Sequence, residues 1–165
     1  MECFIVRPED VTRVGDSPVS LVLRDDEAHH ATRSLRLRQG DELMASDLHG
    51  TCYQCRITAQ EADGPLECEI TEVLLGLGEP SRVIELIQGM IAQPARWEFL
   101  LEKATELGVQ AITPVITERT ERTHFKQERS DRILRAALKQ TKRARLPLLR
   151  LDEQAGLMSL TLALS

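Results

Sequence analysis

Aromatic residues are scarce in this 165-residue chain, which has one Trp, one Tyr and three Phe. That scarcity argues against a nucleic-acid binder that works mainly by stacking bases on a sheet of aromatics. Long apolar runs are missing as well. No stretch approaches the ~20 consecutive apolar residues that a membrane-spanning helix needs. The N-terminus, MECFIVRPED, lacks the basic start and long apolar run of a secretory signal. The expected compartment is the cytoplasm, with no membrane partner. The four cysteines (Cys3, Cys52, Cys55, Cys68) are then expected to be reduced thiols. Glycine thins out along the chain, with only Gly156 after Gly108. An α/β domain that binds a nucleotide-like cofactor usually uses glycine to bring backbone close to it, and no such loop is legible here. Nothing matches a Ser/His/Asp triad, a paired-carboxylate site or a phosphate-binding glycine loop.

The composition itself is ordinary for a globular chain, 42% hydrophobic and 28% charged. The length suits one domain or two small ones. The net charge of -5 hides an asymmetry. Residues 1–100 carry 9 basic and 18 acidic side chains, whereas residues 101–165 carry 12 and 8. Between Arg119 and Arg145 there are 10 basic residues against 3 acidic. The whole-chain charge argues against a polyanionic partner, but this local block argues for one.

The first half reads as β-structure. Short β-prone runs lie at Cys3–Val6, Val19–Leu23, Glu42–Asp47, Thr51–Ala59 and Leu66–Leu74. Turn signals separate them at Gln39-Gly40-Asp41, Asp47-Leu48-His49-Gly50 and Ala62-Asp63-Gly64-Pro65. Such spacing predicts a small barrel or sandwich, with a short helix over Asp25–Leu35. The composition shifts at Gly76-Leu77-Gly78-Glu79-Pro80. Beyond it the pattern predicts a buried strand in Val83–Ile91, a helix over Ala95–Leu107 and a strand at Ala111–Thr117. A helix over Ser130–Ala144, capped by Ser130 or the residue before it, and an extended run after Pro147 complete the pattern. The first helix shows Trp97, Leu100, Leu101, Ala104 and Leu107 on one face, and the second Ile133, Leu134, Ala137 and Leu138. This βαβαβ order implies a parallel sheet, hence an α+β chain overall. The expected domains are 1–75, a linker at 76–81, and 82–165. The tail Leu157–Ser165 fits the start of a further helix.

Four groups of residues are candidates for chemistry. Cys52-x-x-Cys55 has no second pair to complete a zinc site, and its members should face opposite sides of a strand, so no metal is expected. His30, Arg33, Arg36 and Arg38 lie in a segment free of acids, and planar guanidinium forks suit phosphates. Arg135, Lys139, Lys142 and Arg143 recur at helical spacing opposite the apolar stripe, a positive ridge able to displace counterions from a nucleic-acid backbone. A solvated face competes with the functional reading in both basic groups. Glu98, Glu102 and Glu106, with Lys103 beside them, fit an acidic stripe open to solvent.

Ordered motifs carry a further resemblance. The run Glu102-Lys-Ala-Thr-Glu-Leu-Gly-Val109, Ile112-x-Pro114 and Thr117-Glu-Arg-Thr120 resembles the RsmE family of 16S ribosomal RNA (uracil-N3)-methyltransferases. So do His30-x4-Leu35-Arg36, Gly40-Asp41, Asp47-x-x-Gly50, Gln88-Gly89 and Ala137-x-x-Gln140-x-x-Arg143-x3-Pro147. The resemblance implies an RNA-binding PUA-like barrel followed by a SPOUT-type methyltransferase domain. It implies S-adenosylmethionine as cofactor, 16S rRNA or the small ribosomal subunit as partner, and a homodimer with the active site near its interface. It places His30, Arg33 and Arg36 toward RNA and Arg119 at the catalytic end of a strand. Lys103, Glu106 and Arg143 fall on characteristic helices, where Lys103 and Glu106 serve as site-supporting or structural residues. The family's glycine-rich cofactor loop is not found, so the cofactor site and knot are expected beyond Ser165. The alternative is a non-catalytic RNA-binding or interaction module that lacks the cofactor half.

Overall fold

A computed structural model describes residues 1–61, 64–117, 120 and 126–151, together with the backbone of Met158–Ser159. Arg119, Arg122 and the Ala62-Asp63 half of one expected turn lie outside the described residues. Contacts divide the chain into two units, Met1–Glu79 with Lys142–Arg145, and Pro80–Thr141 with Leu146–Ser165. A single cut in the chain does not anticipate this interleaving.

Unit 1 is built on β1 (Cys3–Ile5), β2 (Val11–Val14), β3 (Ser17–Leu23), β4 (Glu42–Ser46), β5 (Thr51–Gln60) and β6 (Leu66–Leu75). They form one sheet in the order β1-β4-β5-β6-β3-β2, parallel only between β1 and β4. Phe4 from β1 and Val11 from β2 enter the same core as Leu21, Leu43, Tyr53, Ile57 and Leu66. The sheet therefore wraps its two ends around one interior. Register shifts at Gln54/Cys55 and Ile57/Ala59 bend the long β5 strand in the manner of bulges. Cys55 points into this core, whereas Cys52 packs on the other side with Cys3, Met44 and Ala144. The hairpin after β4 turns as an Asx motif, since Asp47 Oδ1 accepts from the N–H groups of His49 (2.8 Å) and Thr51 (3.0 Å). Strand β2 was not expected; its four residues carry only one buried side chain, too little pattern to read.

Between β3 and β4 runs α1 (Asp25–His29), which widens into a π-helical turn at His30–Ser34. The sequence predicts one regular helix here. Asp25 and Arg36, at the two ends of this segment, both hold positive φ, at 50° and 58°. Non-glycine residues rarely adopt that conformation, and strain of this kind concentrates at ligand-contacting segments.

Unit 2 contains β7 (Glu85–Gly89), α2 (Pro94–Glu106), β8 (Ala111–Ile116), α3 (Gln127–Thr141), β9 (Leu148–Leu149) and β10 (Met158–Ser159). Strand β8 pairs in parallel with β7 on one side and with β9 and β10 on the other. Trp97, Leu101 and Ala104 of α2 and Leu134 of α3 pack with Ile112, Val109 and Met90. Strand β7 was expected to be buried, but among the described residues it has a partner on one side only, and Ile84 and Ile87 are exposed. Leu107 is also a correction. It follows the last turn of α2 as its C-cap and is 76% exposed, while Thr105 takes a buried place on that helix. The tail likewise departs from expectation, since Met158–Ser159 forms a strand against Val115 and Ile116 rather than a helix start.

Candidate functional site

The exposed end of the α1 segment gathers the basic side chains of unit 1. His29, Arg33, Arg36 and Arg38 are exposed, and His30 is half-buried with its ring 6.1 Å from that of Phe4. The backbone that carries them is anchored locally: Thr32 Oγ1 donates to the Ala28 carbonyl at 3.0 Å, and the Arg38 N–H donates to Asp41 Oδ2 at 2.8 Å. Four of the predicted residues thus lie together on one short segment whose two ends are conformationally restrained. Guanidinium groups held on such a segment can grip phosphates in pairs.

The ridge predicted on the second helix is shorter than expected. Helix α3 ends at Thr141, where Thr141 Oγ1 bonds back to the Ala137 carbonyl (2.8 Å) and Lys142 takes φ of 55°. Arg135 is exposed and Lys139 half-buried on the helix, but Lys142 and Arg143 are past its end. The Arg143 side chain is 1% exposed. Its Nε and Nη2 donate to Glu79 Oε1 and Oε2 at 3.2 and 2.7 Å, and the Arg145 N–H adds a third bond to Oε1 at 2.9 Å. Helical spacing continued past the helix, so Arg143 read as part of a nucleic-acid-facing stripe. It is instead an internal tie that fixes the Lys142–Arg145 segment within unit 1. The Ala144 N–H donates to the Leu77 carbonyl, and the Ala144 carbonyl accepts from Gly50 and Ser46. Glu79 is the residue that sequence reasoning missed, and its only signal was an acid inside a glycine-rich linker.

Lys103 and Glu106 bond each other on α2. Lys103 Nζ lies 2.8 Å from Glu106 and 2.9 Å from Glu102, and 5.7 Å from the centre of the Phe99 ring. The hydrogen bond to Glu106, then that to Glu102, holds the lysine above its usual range, fully charged. Glu98 pairs with Arg129 of α3 instead of facing solvent alone, and Glu98 holds that guanidinium protonated more firmly.

Parallel sheets place ligands beyond the C-terminal ends of their strands. In unit 2 those ends carry Gln88 and Gly89 of β7, then Thr117 and Thr120 after β8. Gln88 Nε2 donates to the Gly89 carbonyl (3.0 Å), and the Thr117 N–H donates to Thr120 Oγ1 (2.8 Å). The predicted catalytic Arg119 lies between these two threonines in sequence, outside the described residues. A Cβ placed on Gly89 would meet only Thr117 Cγ2, at an ordinary 3.6 Å. The space beside Gly89 is thus open apart from that contact among the described residues. Among them no group of three or more His, Cys, Asp or Glu is arranged to hold a metal ion.

The described structure is a wrapped sheet with an exposed arginine segment, followed by a parallel α/β unit. The RNA methyltransferase PUA domain matches residues 23–72, and the RNA methyltransferase domain matches residues 78–158. The chain belongs to this RNA methyltransferase family, in the branch of the ribosomal RNA small subunit methyltransferase E proteins. It is 32% identical to the protein of that name from Aquifex aeolicus over 74% of the chain and 54% of the relative. The Synechocystis protein of the same name is 28% identical over 87% of the chain and 45% of its own length. The chain thus spans about half the length of these curated relatives. In structure it resembles ribosomal RNA small subunit methyltransferase E from Neisseria gonorrhoeae bound to S-adenosyl methionine. That likeness has a TM-score of 0.79 and 27% identity, over 99% of this chain and 64% of that one.

Proposed function

We propose that the chain forms the RNA-holding barrel and the first strands and helices of an S-adenosylmethionine-dependent methyltransferase of small-subunit ribosomal RNA. The modified atom is N3 of a uridine in 16S rRNA, and the working unit is a cytoplasmic homodimer. The observation that carries this reading is the order of the two domains along one chain, 23–72 then 78–158, together with a fold that follows the Neisseria enzyme from end to end of this chain.

Uracil N3 holds its proton at neutral pH, so the enzyme must stabilise the anion that remains or accept the proton as it leaves. The target base must also leave its stack. His30, Arg33, Arg36 and Arg38 are assigned to the RNA backbone on unit 1, with Arg135, Lys139 and Lys142 as further phosphate contacts. Arg119, in the Thr117–Thr120 motif, is assigned to the developing negative charge on the base. Lys103 and Glu106 support their helix and are not assigned to the chemistry.

The test is nucleoside analysis of small-subunit RNA after incubation with the whole enzyme that contains this chain and methyl-labelled S-adenosylmethionine. Label is expected in N3-methyluridine. Label in another nucleoside refutes the assignment of the atom. RNA binding with neither methyl transfer nor donor binding by calorimetry would favour a non-catalytic RNA-binding module.

A further inference from the structure

Unit 1 has a cleft of about 210 Å³ where three stretches of chain meet: Arg24-Asp25 after β3, His29 at the end of α1 with Thr32 on the π-helical turn, and Gly64-Pro65 just before β6. We propose that this cleft receives one unpaired base of the bound RNA. The proposal rests on the reading of the chain as an RNA-binding protein and adds a base-specific contact to it.

Size limits the occupant first. The volume lies below the ~300–1,000 Å³ of pockets for drug-sized ligands and well above the ~30 Å³ of a water molecule. One small ring system fits that range. Charge limits it next. Arg24 Nε already pairs with Asp10 Oδ1 at 2.7 Å, and Asp25 Oδ2 with Arg7 Nη2 at 2.9 Å. The charges around the cleft are balanced in pairs, which suits a neutral polar ring better than a phosphate. The surfaces then match a base. His29 and Pro65 line the cleft with an imidazole and a pyrrolidine ring, against which a base can pack. Asp25 binds Arg7 through Oδ2, which leaves Oδ1 to accept from a base imino or amino group. Thr32 Oγ1 gives its proton to the Ala28 carbonyl and so keeps its capacity to accept a hydrogen bond.

Backbone conformation supports the same assignment. The segment that lines the cleft begins at Asp25 with φ of 50°, contains the π-helical turn, and ends at Arg36 with φ of 58°. π-Turns and strained non-glycine residues recur at ligand-contacting sites. The segment also leads directly into Arg33, Arg36 and Arg38. A base seated in the cleft would place its flanking phosphates beside guanidinium groups.

The experiment compares two probes on the full chain. One is a single-stranded RNA of about ten nucleotides containing all four bases; the other is an oligomer of the same length with the bases removed. The His29→Ala variant should bind the base-bearing strand about five- to a hundredfold more weakly, as expected for a lost stacking platform. The His29→Phe variant should retain near-parental affinity, and neither substitution should change binding to the abasic oligomer. Unchanged affinity of His29→Ala for the base-bearing strand overturns the proposal. So does an equal loss on both probes, which would make His29 a backbone contact. If the parent chain binds neither probe, the RNA-binding reading itself fails. His29 is exposed, so its replacement leaves the core intact, and a matching urea midpoint for both variants verifies this.

Discussion

Arg143 is the residue whose surroundings differ most from its sequence context. Buried guanidinium groups survive only when paired and hydrogen-bonded, and Glu79 supplies both requirements. Replacing Arg143 with Ala leaves the Glu79 carboxylate facing Arg145 N–H alone inside a covered site. We expect a loss of about 3–5 kcal/mol, measured as a lower urea midpoint of the full chain. Arg143→Lys should recover only part of it, because an ammonium cannot reproduce the two-point fork. The thiols give a second prediction at this scale. Burial pushes Cys68 up to about 12, and burial raises Cys55 and Cys52 as well. An acid whose folded value is raised contributes stability that is complete below its unfolded value and fades as pH rises toward the folded one. Stability should therefore fall as pH climbs above ~9, by up to ~1.4 kcal/mol per unit for each buried thiol. Denaturation curves at stepped alkaline pH measure this. A Cys68→Ala variant should show a shallower decline.

Helix α2 shows what the sequence made legible. Its apolar spacing marked Trp97, Leu101 and Ala104 correctly as core, and Gly108 marked its end. The structure explains the glycine. Gly108 N–H donates to the Thr105 carbonyl and Val109 N–H to the Ala104 carbonyl, a Schellman closure that needs positive φ, here 91°. A Cβ at this position would also meet Pro80 at 3.0 Å. Gly108→Ala should cost at least ~1–2 kcal/mol, seen as a lower thermal midpoint. The end of α3 was not legible, because it stops without glycine: Lys142 adopts the left-handed conformation itself, and charged residues continue the helical spacing beyond it. Strand β7 misled for a related reason. An apolar composition marks β-propensity but not the number of neighbouring strands, so the run Val83–Ile91 predicted a buried strand where, among the described residues, only one side is paired.

On the scale of the chain, sequence motifs carried the family assignment, whereas fold alone would have stopped at a β-unit followed by a parallel α/β unit. The interleaving of Lys142–Arg145 with unit 1 had no sequence signal, since it depends on a buried pair 64 residues apart. The opposed charges of the two halves find a place in the account, with the exposed arginines of unit 1 standing out from an otherwise acidic stretch. The role proposed for them is electrostatic, so RNA binding should weaken as salt rises, and each phosphate contact removed should lower the slope of log affinity against log salt by about 0.7 for a single strand. The most direct measurement is the affinity of the chain for a small-subunit rRNA fragment across a salt series, for the parent and for Arg36→Ala. Alanine at position 36 carries the same backbone strain, so the fold is kept while the guanidinium is lost. The account predicts salt-dependent binding by the parent, about tenfold weaker binding by the variant and a shallower slope. Equal affinity and equal slope for the two proteins would contradict it.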